Sequence, residues 1–146
     1  MIEVTDDGAL RVLSIDRTDK ANSLTREMLE ALATAVETAS KDQAVNVLVL
    51  TGRGKVFSAG ADLEAARAGL ATDPVWERLS GAIATSPCLT IAALNGTAAG
   101  GALGMVLACD LRVSVPGANI FYPVMKLGFL PQPSDPGRLA ALVGPA

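Results

Sequence analysis

The spacing of apolar residues changes several times along the chain, and each spacing predicts an element. Ile2 to Thr5 and Ala9 to Ile15 read as two strands around the turn "DDG". Further on the period becomes helical. Met28, Leu29, Leu32, Val36 and Ala39 fall on one face, Thr25 can cap the start, and Glu27 sits in the electropositive first turn, which predicts a helix to about Ser40. "VNVLVLTG" is a continuous apolar run ending in glycine, the pattern of a strand covered on both faces. "RGKVFSAGADLEAARAG" turns through glycines into a short helix, and "DPVWERLSGAIATS" reads as a helix with Pro74 in its first turn. "CLTIAAL" is another covered strand and runs straight into "NGTAAGGALGMVLACD"; "DLRVSV" is a further strand. Strands alternate with helices over the whole length, which predicts one α/β domain, residues 1–146, with crossover connections.

Composition narrows the chemistry. Half of the residues are hydrophobic and 18% are charged, a globular balance, and 15 acids against 12 bases leave a net charge of −3. No basic stripe or aromatic platform is visible, so nucleic acid is not an expected partner. The most apolar stretch, Leu89 to Val106, is interrupted by Asn95, Thr97 and glycines, so no membrane span is expected. With no signal-peptide pattern at the start, the expected location is the cytoplasm. Cys88 and Cys109 lack metal-site spacing and read as small buried hydrophobes. The chain has no histidine, which removes a Ser-His-Asp triad, a Cys-His pair and an H-E-x-x-H zinc site; no metal site is expected. "GTAAGGALG" does not give G-x-G-x-x-G, and "GRGKVFS" fails as a phosphate loop.

One design occurs twice, in Val45–Leu63 and Cys88–Leu107: an apolar strand, a glycine turn, then a helix. Glycine lets the backbone bend tightly and lets another molecule approach it. The first N–H groups of a helix lack intrahelical partners and point outward at its positive end. Two such sets aimed at one point would make an oxyanion hole. Close packing of helix on sheet is the commoner reason for such glycines.

Four ordered blocks decide between these readings. "DRTDKANSLTREMLEAL", "VLVLTGRGKVFSAGADL", "AALNGTAAGGALGMVLACDLRVSV" and "PVMKLGFLP" followed by "GRLAALVG" together resemble the enoyl-CoA hydratase/isomerase (crotonase) family. The resemblance implies a crotonase-like spiral of repeated ββα units that binds acyl-coenzyme A thioesters, with no cofactor besides the coenzyme A of the substrate itself. It implies that the backbone N–H groups of Ala61 and Gly101 hold the thioester oxygen. It also implies that the Ala59 carbonyl receives the adenine amino group, with Gly60 and Gly100 among the substrate-binding residues. Asp62 and Leu63 would lie beside the thioester or pantetheine arm. Residues 119 to 127 suit an apolar acyl pocket, with Trp76, Tyr122 and Val124 as wall residues.

The departures from the family pattern are specific. The positions where hydratases carry glutamates are Gly104 and Val124, and the position where some isomerases carry an aspartate is Gln132. Without those carboxylates ordinary hydration is not expected. Three roles stay open: acyl-CoA binding with altered catalysis, a different reaction such as decarboxylation or isomerisation, or a non-catalytic assembly subunit. Asp62 reads as a helix-start residue, Glu64 as a solvated charge, and Tyr122 and Lys126 as packing or surface groups. Arg17, Lys20 and Arg53 could meet coenzyme phosphates, and Asp110 with Arg112 reads as a structural pair. The family's usual C-terminal helical region, which covers the site and builds trimers, lies beyond "LVGPA", and the expected state is a homo-oligomer.

Overall fold

The computed structural model describes residues 1–145. β1 (Ile2–Asp7) and β2 (Leu10–Ile15) form an antiparallel hairpin. β1 runs two residues past the expected end because Asp6 faces Arg11 across the ladder, where the guanidinium donates to both carboxylate oxygens at 2.7 and 2.9 Å. The turn thereby narrows to Gly8 and Ala9, with Gly8 at φ +58°. α1 (Arg26–Ala39) starts where the Thr25 hydroxyl accepts from the Met28 N–H at 3.4 Å, and it buries Met28, Leu29, Leu32, Ala33, Val36 and Ala39.

The chain then repeats one unit three times: a long strand, a short strand, a helix. The first unit is β3 (Val47–Gly52), β4 (Val56–Ser58) and α2 (Leu63–Arg67), followed by an extra helix α3 (Val75–Ala84). The second is β5 (Leu89–Leu94), β6 (Thr97–Ala99) and α4 (Leu103–Ala108). The third is β7 (Leu111–Ser114), β8 (Ile120–Phe121) and α5 (Asp135–Val143). The long strands join the hairpin in a five-stranded sheet of order β1-β2-β3-β5-β7, parallel from β2 onward. The short strands form a second, parallel sheet of order β4-β6-β8. This is the ββα spiral that the family resemblance implies.

β3 and β5 differ from expectation in one respect. Leu48, Leu50, Ala92 and Leu94 are buried, but the alternate residues Val47, Val49, Ile91 and Ala93 are only partly covered. The buried set packs in one core with Leu29, Leu32 and Val36 of α1 and Leu79 and Ile83 of α3, so the sheet is fully covered on that face only. β8 has only two residues, both exposed, too short for any apolar period to reveal it.

Candidate functional site

The first glycine turn is positioned by a buried polar knot. Asn22 is fully buried at φ +55°; its side-chain N–H groups donate to the carbonyls of Arg53 at 2.9 Å and Val56 at 2.7 Å, while its Oδ1 accepts from the Arg17 N–H at 2.8 Å. The Ser58 hydroxyl donates to the Asn22 carbonyl at 2.8 Å and accepts from the Gly60 N–H at 3.2 Å. An isolated parallel bridge to Leu24 then uses the Gly60 carbonyl (2.7 Å) and the Asp62 N–H (2.9 Å). Backbone groups alternate in direction along such a segment. The Ala61 N–H therefore points away from Leu24.

The second turn meets the first back to back. Gly60 stands at φ +92°, and a Cβ there would lie 2.7 Å from the Ala99 carbonyl, 3.3 Å from the Gly101 nitrogen and 3.4 Å from the Gly100 Cα. Gly100, at φ +56°, opens a single 3₁₀ turn, Gly100–Ala102, that leads into α4. Gly101 lies in its first turn, where the N–H has no intrahelical partner. Against it packs Trp76: a Cβ at Gly101 would be 3.0 Å from the indole ring, whose Nε1 is fixed by donating to the Leu70 carbonyl at 2.8 Å. Ala59, Ala61, Leu63, Gly100, Gly101 and Trp76 line one cavity of about 610 Å³. Tyr122, Val124 and Gln132 also line it.

A sequence model of the enoyl-CoA hydratase/isomerase family matches residues 5–146. The chain belongs to this family. Over 145 residues it is 39% identical to a Mycobacterium tuberculosis protein named a probable enoyl-CoA hydratase, EchA14, covering 95% of this chain and 56% of that one. The fold matches the crystal structure of an enoyl-CoA hydratase/isomerase family member with a TM-score of 0.92 at 27% identity, covering 99% of this chain and 58% of that chain. It matches the enoyl-CoA hydratase of Bacillus anthracis with a TM-score of 0.91 at 30% identity, covering 99% and 59%. The chain thus spans between half and two thirds of the length of these hydratase/isomerase proteins.

Several of the polar residues singled out in this chain serve the frame. Asp62 caps α2: its Oδ1 accepts from the N–H groups of Glu64 (3.1 Å) and Ala65 (3.2 Å), and its Oδ2 from Arg17 (2.9 Å). The Ala65 N–H, then the Arg17 guanidinium, hold its carboxyl below the usual range, so it stays ionised with both oxygens engaged. Arg17 is tied up by that pair, Arg53 pairs with Glu3 at 2.8 Å, and Lys20 is exposed on its turn. Glu64 is exposed on α2. Asp110 and Arg112 do not pair as charges. Asp110 accepts from the Thr90 N–H and hydroxyl, both at 2.8 Å, while Arg112 donates to the carbonyls of Val106, Cys109 and Asp110. Each charge has found backbone groups that a residue-type pairing does not reveal. Burial pushes the Cys109 thiol up to about 12, which leaves it unreactive.

The residue that sequence reasoning missed is Asp135. It opens α5 and is 1% exposed. A Cβ on Gly104 would sit 3.1 Å from its Oδ1, so its carboxylate fills the space that a side chain at 104 would enter. The Tyr122 hydroxyl donates to its Oδ2 at 2.5 Å. "SDPGR" reads as an ordinary helix start; the only sequence signal was the bare glycine at 104, which leaves room for a filler from elsewhere.

Proposed function

We propose that this chain binds acyl-coenzyme A thioesters, with the thioester oxygen between the backbone N–H groups of Ala61 and Gly101. The observation that carries the reading is the back-to-back contact of two glycine turns, with a Cβ at Gly60 only 3.3 Å from the Gly101 nitrogen and Ala61 and Gly101 both on the wall of one cavity. A thioester α-carbon becomes reactive when charge can spread onto the carbonyl oxygen, and fixed N–H donors stabilise that charge by about 3 kcal/mol each. The Ala59 carbonyl faces the adenine end, Gly60 and Gly100 give the turns their shape, and Asp62 and Leu63 flank the thioester arm. Trp76, Tyr122 and Val124 form the acyl wall. Coenzyme A enters as part of the substrate, with no separate cofactor. Two buried free thiols, Cys88 and Cys109, suit the reducing cytoplasm.

Hydration by a pair of cavity-wall acids is not the reaction this site supports: positions 104, 124 and 132 hold Gly104, Val124 and Gln132, and the carboxylate that reaches the Gly104 space, Asp135, stands behind the Tyr122 hydroxyl rather than on the cavity wall. Positioned acids and bases contribute about 10²–10⁴-fold each. Titration with butyryl-CoA and with free coenzyme A tests the binding: tighter binding of the thioester is expected, and equal affinities would overturn the role of the paired N–H groups. Crotonyl-CoA turnover is expected to fall far below the ~10 s⁻¹ of a typical enzyme; a rate at that level would contradict the assignment.

A further inference from the structure

Asp135 is placed unlike an ordinary helix-start aspartate. Its side chain does not cap α5; Glu77 does, accepting from the Ser134 N–H at 3.1 Å and the Ser134 hydroxyl at 2.5 Å. Its Oδ1 is buried and without a hydrogen-bond partner, and Arg138 Nη1, at 3.9 Å, lies outside hydrogen-bond reach. Arg138 Nη1 is itself buried without a hydrogen bond, so this ion pair satisfies neither partner fully, and such an incompletely satisfied carboxyl, one hydrogen bond behind a cavity-wall residue, points to function. The direction is given by two contacts. Oδ1 faces Gly104, one helical turn after Gly101 and so on the same face of the chain. Oδ2 receives the hydroxyl of Tyr122, which lines the cavity together with Ala61 and Gly101. The Tyr122 oxygen also accepts the Gln132 N–H at 3.3 Å, which fixes the ring's polar end.

We propose that Tyr122 and Asp135 are the proton-transfer pair of this site, with Tyr122 meeting the substrate's α-carbon and Asp135 positioned behind it as the proton's store. The proposal rests on the acyl-CoA reading. In the forward step the α C–H bond breaks and its proton goes to the Tyr122 oxygen. The electron pair forms the enolate C=C bond, and the charge passes to the thioester oxygen. The original Tyr122 O–H proton moves to Asp135 Oδ2, so tyrosine stays neutral and aspartate becomes the acid. The reverse step returns a proton to carbon, and no further reactant is consumed. Burial first, and then the Glu77 charge, raise the Asp135 carboxyl against the opposing pull of the Tyr122 hydrogen bond and Arg138, which makes it a better proton acceptor than a solvated carboxylate.

The test is exchange of the α-protons of butyryl-CoA in deuterated water, followed by NMR. The wild-type chain is expected to exchange them, with a rate that rises with pH as Asp135 ionises. Tyr122→Phe and Asp135→Asn are each expected to lower the rate by roughly 100-fold or more. The double variant is expected to be no slower than either single one, because the two act as a unit. The rise with pH disappears in Asp135→Asn. Tyr122→Phe keeps the ring and its packing, so it tests the hydroxyl even if Asp135→Asn fails to fold. Full exchange in Tyr122→Phe, or additive losses in the double variant, overturns the pair. Binding of butyryl-CoA without any exchange overturns the pair and leaves the binding reading standing; no binding overturns both.

Discussion

At Gly60 the backbone stands at φ +92°, and any Cβ would press on the Ala99 carbonyl at 2.7 Å. Gly60→Ala is therefore expected to cost at least the ~1–3 kcal/mol of a strained left-handed residue and to pry the two turns apart. Thermal melting reads the first effect and butyryl-CoA titration the second; an unchanged melt with unchanged affinity contradicts the packed-turn geometry. Asp135 predicts an unusual pH dependence. Its folded pKa is raised above the unfolded value, so its ionisation opposes folding. Stability should fall as pH rises from the unfolded carboxylate range, about 4, through the raised folded value. Asp62 has the opposite sign: its folded value is lowered, so its contribution is present above the unfolded range and is lost as acid passes the folded value. Denaturant melts of the wild type and Asp135→Asn between pH 4 and 8 separate the two, and a wild-type profile no steeper than the variant's contradicts the burial of that charge. Asp62 at a helix start was legible in the sequence because capping is local. Asp135 was not, because its neighbours Gly104 and Tyr122 are brought to it only by the fold.

The elements were legible to different degrees for the same reason. α1 announces itself by period and cap, and its boundaries hold at Arg26 and Ala39. β1 ends later than its apolar pattern because the Asp6–Arg11 pair belongs to the hairpin and not to one strand. β3 and β5 read as covered on both faces because continuous apolar runs carry no sign of which face is left partly open. In α3, Gly81 has open space around its missing Cβ. Gly81→Ala should therefore stabilise the chain by about 0.5–1 kcal/mol, measured as a higher denaturant midpoint; a lower midpoint means that the helix surface is tighter than described. Trp76→Phe removes the bond to the Leu70 carbonyl, a loss of about 1 kcal/mol, and loosens the wall beside Gly101.

Across the whole molecule, the order of the four sequence blocks carried the fold through their resemblance to a known family; the residue pattern alone showed the strand–turn–helix unit only twice, because the third unit's short strand has two residues. The surface at the third unit has its own consequence. Leu111, Val113, Ile120, Phe121, Leu127, Leu130, Leu142 and Val143 are exposed there, more apolar surface than single scattered residues leave. We therefore expect the 146-residue chain to self-associate, and sedimentation over a dilution series should show mass rising with concentration; a monomer at every concentration contradicts it. The central claim is that two glycine turns aim N–H groups at one thioester oxygen. Infrared spectra of butyryl-CoA labelled with ¹³C at the thioester carbonyl test it most directly. Bound to this chain, the labelled C=O stretch should move to lower frequency than in water, as fixed donors draw charge onto oxygen. A bound thioester whose stretch stays at or above its value in water would contradict the account.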